Sequence, residues 1–162
     1  MNWRPYIQLF IITALLCATE LAALAAGGNL ISVSATLLSR NNCQFRPPRS
    51  AVLNFGDIDP TNPAPVTTSA TINFRCAGSA PLATFFITAG NGLHFSAGSR
   101  QMQNASDAGS YIPYQVSLSP HTATVPKNVD QILTVNGLIN GADYRYATAG
   151  SYADQVVLSI NP

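Results

Sequence analysis

A repeat of apolar residues at every second position is the main pattern of this chain. In the last segment, residues 150–162, it brings Val156, Leu158 and Ile160 to one side. Successive side chains of a strand point to opposite faces, so this period predicts a strand with one buried face. The same pattern recurs in four further segments, 66–76, 82–89, 111–119 and 131–139. Each of these segments is therefore predicted to be a strand.

The residues between these segments favour turns. Asn-Gly pairs at 91–92 and 140–141, and a third at 136–137 within the segment 131–139, adopt positive φ at low cost, and the Pro-rich stretch 59–65 favours extended backbone. Charged residues are only 9% of the chain, and no segment has the spacing of a long helix. We therefore predict an all-β fold, an immunoglobulin-like β-sandwich. The polar stretch 98–109 lacks apolar spacing, so we expect a mobile loop there.

The first residues have the composition of an export signal. Arg4 precedes an apolar run, residues 7–16, and small residues occupy positions 22–26. Because signal peptidase cleaves after small residues, residues 1–26 are predicted to be a cleaved secretory signal. The alternative is an uncleaved membrane anchor, but the apolar run is short for a bilayer span and Glu20 interrupts its end.

The predicted mature chain has the length of one domain. An N-terminal segment, residues 27–39, precedes a domain of residues 40–162. The full chain has 8 Lys and Arg against 7 Asp and Glu, a net charge of +1, and the signal removes one residue of each sign. This balance gives no electrostatic reason to expect nucleic acid as a partner. Arg40, Arg46 and Arg49 lie close in sequence, where a solvated face is favoured over a ligand patch.

Two cysteines, Cys43 and Cys76, remain after removal of the signal, which carries Cys17. An even pair in an exported protein predicts a disulfide. A loop of the length between them stabilises a fold by about 3–4 kcal/mol in the chain-entropy description. The catalytic alternative needs a Cys-x-x-Cys motif or a nearby activating histidine, and the sequence has neither.

The side chains that could carry chemistry predict no enzyme. His94 and His121 lack metal-ligand spacing and are expected on the surface. Asp57 and Asp59 could hold a metal or act as an acid–base pair, but turn capping is the favoured interpretation. The sequence has no Gly-x-Ser-x-Gly motif and no phosphate-binding loop. We therefore predict no catalytic residue, metal or cofactor.

A further alternating segment lies near the other end of the chain and consists of Ile31, Val33, Ala35 and Leu37. If the final strand had no following partner, a hydrophobic groove would lie open beside it. Filling such a groove with four or five apolar side chains is worth about 6–15 kcal/mol. By pattern alone, however, an ordinary first strand of a complete sandwich is the favoured interpretation.

Particular motifs change that interpretation. They are Cys43, Asn54-Phe55-Gly56, residues 71–76, Tyr111-Ile112-Pro113-Tyr114, Val135-Asn136-Gly137, and Gly150-x-Tyr152-x-Asp154 before residues 156–162. Together they resemble the spore coat protein U domain, a family that includes the pilins of archaic chaperone-usher systems. The resemblance extends from about Ile31 to Pro162.

The resemblance implies a sandwich that lacks its last strand and is completed by donor-strand complementation. A periplasmic chaperone first lends a strand, and an outer-membrane usher exchanges it for the N-terminal segment of the next subunit. The implied donor-strand anchors are Ile31, Val33, Ala35 and Leu37. The implied wall of the acceptor groove, which also contacts the chaperone, is formed by Val156, Leu158 and Ile160. Tyr152 and Asp154 are implied to form a structural corner where the final strand begins.

The expected function is that of a structural subunit of a secreted fibre or pilus. Its expected partners are the chaperone, the usher and neighbouring pilin subunits, and its route leads through the periplasm to the surface of a Gram-negative bacterium. Roles in cell adhesion and biofilm formation follow from that family. Two alternatives stay open. One is a minor or tip subunit whose loops around residues 90–110 contact a surface or a sugar, and the other is a soluble coat component.

Overall fold

The computed structural model describes residues 30–35, 43–78 and 80–161, the first of these ranges by its backbone. Leu37 and the predicted signal lie outside the described residues. The described elements are β1 (Leu30–Ala35), β2 (Cys43–Phe45), β3 (Ser50–Asn54), β4 (Val66–Cys76), β5 (Leu82–Ala89), β6 (Arg100–Asn104), β7 (Tyr111–Ser119), β8 (Thr122–Pro126), β9 (Asp130–Ile139), α1 (Gly141–Tyr144) and β10 (Tyr152–Asn161).

Strand β10 lies at the centre of the first sheet. On one side it pairs with β1, and β1 pairs in turn with β3. On the other side it pairs with β6 near its start and with β5 near its end. Strand β5 continues to β8, and β6 continues to the first part of β7. The final strand of the sequence is thus an interior strand of its sheet.

The second sheet consists of β2, β4, β9 and the second part of β7. Strand β7 joins the two sheets, since its first residues pair with β6 and its residues from Gln115 onwards pair with β9. Apart from the pairing of β1 with β10, all strand pairs described above are antiparallel. Such a corner-turning strand is one way in which packed sheets enclose a common core.

The core lies between the inner faces of these two sheets. Phe74 of β4 and Phe85 of β5 meet edge to face, with ring centroids 4.7 Å apart. Leu53 and Phe55 contact the second sheet at Gly137, where an added Cβ would lie 2.7 Å from Phe55 Cζ. The prediction of an all-β, immunoglobulin-like sandwich is confirmed. Its completion by a strand from another molecule stays a prediction.

The prediction of a mobile loop over residues 98–109 is wrong in its first half. Residues Arg100–Asn104 form strand β6, with Met102 and Asn104 buried. Asn104 Oδ1 accepts hydrogen bonds from the N–H groups of Ser106 and Asp107 and closes the following turn. A polar side chain that satisfies backbone donors can thus be buried without an apolar signature. In the described part of the chain, no helix is long and apolar enough to cross a membrane.

Candidate functional site

The inner face of β10 is formed by every second residue of the strand. Val156 and Leu158 are fully buried, and Ile160 is nearly so. Tyr152 and Asp154 continue the same face towards the start of the strand and are also buried. The three residues predicted to line an acceptor groove therefore lie on the core face of the sheet.

Strand β1 occupies the edge of β10 that would otherwise be unpaired. It runs parallel to β10, with Cα partners from Leu30 and Ala153 to Ala35 and Leu158. Of the predicted donor anchors, Ile31 lies opposite Asp154, Val33 opposite Val156 and Ala35 opposite Leu158. The predicted donor segment and the predicted groove are therefore neighbours in this structure, within one chain.

The second neighbour of β1 is β3, to which it runs antiparallel. Val33 lies opposite Ala51, and Ile31 lies opposite Leu53. Among the residues that the structure describes, β1 is the strand partner of β3. Removal of β1 would expose backbone hydrogen-bonding groups on the facing edges of both β3 and β10. An exposed edge of this kind pairs readily with another extended chain.

The orientation of β1 distinguishes it from a strand that follows β10 through a hairpin. A hairpin joins antiparallel strands, whereas β1 is parallel to β10 and comes from the other end of the sequence. Backbone pairing on two sides, together with alternate inward positions, is the way in which proteins capture an extended peptide by strand addition. The position between β3 and β10 thus has a strand edge on each side, and we refer to it as the strand-accepting site.

Asp154 joins three parts of the fold at the start of this site. Its Oδ2 accepts a hydrogen bond of 2.5 Å from the hydroxyl of Tyr114 in β7. Its Oδ1 accepts one of 2.9 Å from the backbone N–H of Leu93, in the loop between β5 and β6. Burial and the hydrogen bond to Asp154 raise the pKa of Tyr114 far above its ordinary value. The phenol therefore stays a donor across the physiological pH range.

Tyr152, the first residue of β10, holds the chain segment that precedes the strand. Its hydroxyl donates a hydrogen bond of 2.6 Å to the carbonyl oxygen of Thr148, and Ser110 Oγ lies 2.7 Å from the same hydroxyl. A tyrosine hydroxyl bonded to backbone a few residues upstream is a corner arrangement of immunoglobulin-like domains. Tyr152 therefore sets where the final strand enters the sheet.

His94 is not the surface residue that the sequence predicts, since its side chain is only 26% exposed. Its Nδ1 is buried and lies 3.3 Å from Asp154 Oδ1, without the geometry of a hydrogen bond. The partner stands 60 residues away in sequence, so no local motif indicates it. His121 is exposed, as expected, and lies edge-on to Phe86 with ring centroids 6.2 Å apart.

The predicted disulfide is confirmed. Cys43 and Cys76 are fully buried Cα partners of β2 and β4, with sulfur atoms 2.02 Å apart. Asp59 accepts hydrogen bonds from the hydroxyl and the N–H of Thr61, which lower the pKa of its carboxyl group. This is the turn-capping arrangement that the sequence favours. The described ranges contain no group of three or more potential metal ligands.

Comparison with known proteins was made on sequence and on structure. A search of curated protein sequences gives no match. Among solved structures, CfaE, the adhesive subunit of CFA/I fimbria of enterotoxigenic Escherichia coli, is 7% identical, with a TM-score of 0.31 over 79% of this chain and 45% of that chain. The present chain thus spans less than half of the length of that subunit. The sequence profile of the Spore Coat Protein U domain matches residues 29–159. This match extends over most of the sequence, and the chain belongs to the Spore Coat Protein U domain family.

Proposed function

We propose that this protein is a structural subunit of a secreted fibre or pilus, assembled by donor-strand exchange on the chaperone-usher route. The observation that carries the proposal is the position of β1, which lies between β3 and β10 although it comes from the opposite end of the sequence. Membership of the Spore Coat Protein U domain family supports a pilus-type role.

Every copy of the chain carries both a donor segment and an acceptor edge. The segment of residues 27–39 is the donor, with Ile31, Val33, Ala35 and Leu37 as its anchors. The acceptor is the edge of β10, where Val156 and Leu158 are fully buried and Ile160 follows them. If the donor of one copy enters the acceptor of the next, the contact joins two different surfaces. Such head-to-tail contacts build open filaments unless their rotation closes a ring.

The unfilled acceptor would be unstable, which explains the proposed partners. Two strand edges and the inward positions beside Val156 and Leu158 would be exposed to water. Covering them is worth about 1.5–3 kcal/mol for each apolar side chain, against a whole-domain stability of about 5–15 kcal/mol. A periplasmic chaperone holds the subunit in a folded state until an outer-membrane usher passes it to its neighbour. The subunit then reaches the surface of a Gram-negative cell, and residues 1–26 serve as its export signal.

The first test removes the donor and returns it as a peptide. The chain is expressed without residues 27–35, and a synthetic peptide of residues 29–39 is added during refolding. We expect the truncated chain to aggregate alone and to become a soluble, cooperatively unfolding species with the peptide. A control peptide with Val33→Asp should fail, because it places a charge opposite buried Val156. A truncated chain that stays monomeric with an unchanged Tm would overturn the proposal.

The second test examines assembly in cells. Val33→Asp is introduced into the full-length coding sequence, with Ser34→Asp as the control at the adjacent position of the same strand. We expect surface fibres, counted by electron microscopy, to disappear in the first variant and to persist in the second. Normal fibres in cells that produce Val33→Asp would contradict donor-strand exchange through this segment.

A further inference from the structure

A concave site lies on the first sheet, beside the start of β10. Its wall is formed by the loop between β5 and β6, with contributions from β6 and β7. Its volume is about 380 Å³, and it is lined by Leu93, His94, Phe95, Ser96, Gln101 and Tyr111. None of these residues belongs to β1, β3 or β10. The site is therefore distinct from the strand-accepting site.

The lining combines exposed apolar surface with uncharged polar groups. Leu93 is 68% exposed, Phe95 45% and Tyr111 36%. Ser96 and Gln101 add a hydroxyl and an amide, which between them both donate and accept hydrogen bonds. Exposed aromatic and aliphatic side chains around a concavity with a few polar groups are typical of a ligand site.

The charges near the site favour a neutral ligand. None of its lining residues carries a permanent charge. The nearby guanidinium of Arg100 is engaged by backbone, since Nε donates to the carbonyl oxygen of Gly90 at 2.7 Å and a terminal nitrogen donates to that of Ala89 at 2.9 Å. Asp154 is buried, and its oxygens accept hydrogen bonds from Tyr114 and Leu93. The hydrogen-bonding groups of Arg100 and Asp154 are thus occupied by the protein itself, and the lining of the site offers uncharged partners.

The loop that forms the wall is held in place without a ligand. Asp154 accepts from the N–H of Leu93, and Arg100 bonds both carbonyl groups at the start of the loop. Ser96 and Ser99 exchange two backbone hydrogen bonds of 3.0 and 2.9 Å at its tip. A wall that is ordered in advance reduces the entropy lost on binding.

His94 supplies an oriented acceptor. Nδ1 lies 3.3 Å from the carboxylate of Asp154, so in a neutral imidazole the tautomer with its proton on Nδ1 is favoured electrostatically. The other ring nitrogen, Nε2, then carries a lone pair and can accept a hydrogen bond from a hydroxyl group. The ring of Tyr111 lies beside that of His94, with centroids 6.0 Å apart.

We propose that this site binds a neutral saccharide. A pyranose has an apolar face of C–H groups that packs on an aromatic ring, and a rim of hydroxyl groups that need both donors and acceptors. Phe95 and Tyr111 provide the rings, while Gln101, Ser96 and His94 provide the polar partners. The inference does not rest on strand exchange, because the site contains no residue of the donor or of the acceptor edge.

The test is binding of the full-chain protein to an array of neutral, sialylated and sulfated glycans, followed by NMR titration with the neutral glycans that bind. We expect saturable shifts at Leu93, His94 and Gln101. Phe95→Ala should weaken binding up to about tenfold, the value of a lost aromatic stack. Tyr146→Ala is the matched control, since Tyr146 is 90% exposed and outside the site. Unchanged Tm values show that both variants are folded.

Three outcomes would overturn the proposal. The first is no array signal above background, and the second is a signal confined to acidic glycans. The third is binding of a neutral glycan that Phe95→Ala leaves unchanged. Fibre assembly by the Phe95→Ala variant is scored in parallel and should be normal. Normal fibres in cells that produce Val33→Asp would overturn strand exchange and leave glycan binding untouched, so the two proposals fail separately.

Discussion

The hydroxyl of Tyr114 donates a hydrogen bond of 2.5 Å to Oδ2 of Asp154, 40 residues further along the chain. Both residues are buried, and the second oxygen of the same carboxylate holds the N–H of Leu93. This one carboxylate therefore joins β7, β10 and the loop between β5 and β6. It connects the start of the strand-accepting edge to the wall of the proposed saccharide site.

Replacement of Tyr114 by phenylalanine should destabilise the fold. The ring would still fill its place, but Asp154 would keep a buried oxygen without its donor, at a cost of about 1–3 kcal/mol. The measurement is urea unfolding, read as a lower midpoint at an unchanged m value. The control is Tyr111→Phe, which removes an exposed hydroxyl bonded to Gln103 and should change the free energy of unfolding little. Equal midpoints for the two variants would contradict this role of the buried bond.

The same pair predicts a loss of stability in alkali. The pKa of Tyr114 is raised in the folded state, first by burial and then by its bond to Asp154, above its ordinary value of about 10. Below pH 10 the phenol is protonated in both states, so its contribution is fully present. Above pH 10 the phenol of Tyr114 ionises in the unfolded chain but stays protonated in the folded one. The free energy of unfolding then falls by about 1.4 kcal/mol per pH unit because of this residue. The measurement compares urea midpoints of wild type and Tyr114→Phe between pH 9 and 11. Parallel pH profiles of the two proteins would refute the prediction.

Gly92→Ala should destabilise the loop that Asp154 holds. Gly92 has φ +85°, and an added Cβ would overlap the Asp154 carboxylate. Gly98 is the matched control, since it has φ +80° but nothing within 4 Å of an added Cβ. Both alanine variants carry the backbone strain of about 1–2 kcal/mol, and only Gly92→Ala adds the clash. We expect a lower Tm for Gly92→Ala than for Gly98→Ala, together with faster hydrogen exchange at Leu93. Equal Tm values would show that the contact with Asp154 is easily relieved.

Reduction of the Cys43–Cys76 disulfide should lower stability by about 3–4 kcal/mol, because the bond closes a loop of 33 residues in the unfolded chain. The measurement is guanidinium unfolding of the oxidised protein and of the Cys43→Ala, Cys76→Ala double variant. A reducing agent gives a control, since it should shift the wild-type midpoint and leave that of the double variant unchanged. A midpoint of the double variant equal to that of the oxidised protein would contradict the prediction.

The long strands with an apolar period were predictable from sequence, whereas the polar strand β6 and the short strands β2, β3 and β8 were not. The bounds Val66–Cys76, Leu82–Ala89 and Tyr111–Ser119 agree with the predicted segments. Strand β6 was missed because Met102 is its single apolar residue, and its buried Asn104 is satisfied by backbone groups instead of apolar neighbours. A period in hydrophobicity cannot report a side chain that is buried through its hydrogen bonds.

The loops around residues 90–110 were expected from sequence to contact a surface or a sugar in the alternative role of a tip subunit, but the pocket of the proposed saccharide site was not predictable. His94 and Asp154 are far apart in sequence, and no motif links the two residues. The one local signal was the Asn91-Gly92 pair, which was interpreted as a turn. Gly92 is in fact also needed because the carboxylate of Asp154 approaches its backbone. Only the pairing of strands distant in sequence brings these groups together.

The parallel register of β1 against β10 can be tested by cross-linking. Ser32 and Gln155 are Cα partners, so cysteines at both positions should form a disulfide under mild oxidation. The control pairs Ser32→Cys with Val157→Cys, two residues or about 6.6 Å further along β10. With a strand spacing of about 4.8 Å, the two Cα atoms are about 8 Å apart, which is too far for a strain-free bond. Peptide mapping by mass spectrometry identifies the bond, and gel filtration separates monomers from assemblies.

In monomers the bond should lie within one chain. Fibres can also be assembled from a mixture of the two single variants, Ser32→Cys and Gln155→Cys. A disulfide between chains would then show that β1 of one copy lies beside β10 of another copy, with Ser32 opposite Gln155. Faster cross-linking of the control pair would show that β1 lies in a different register.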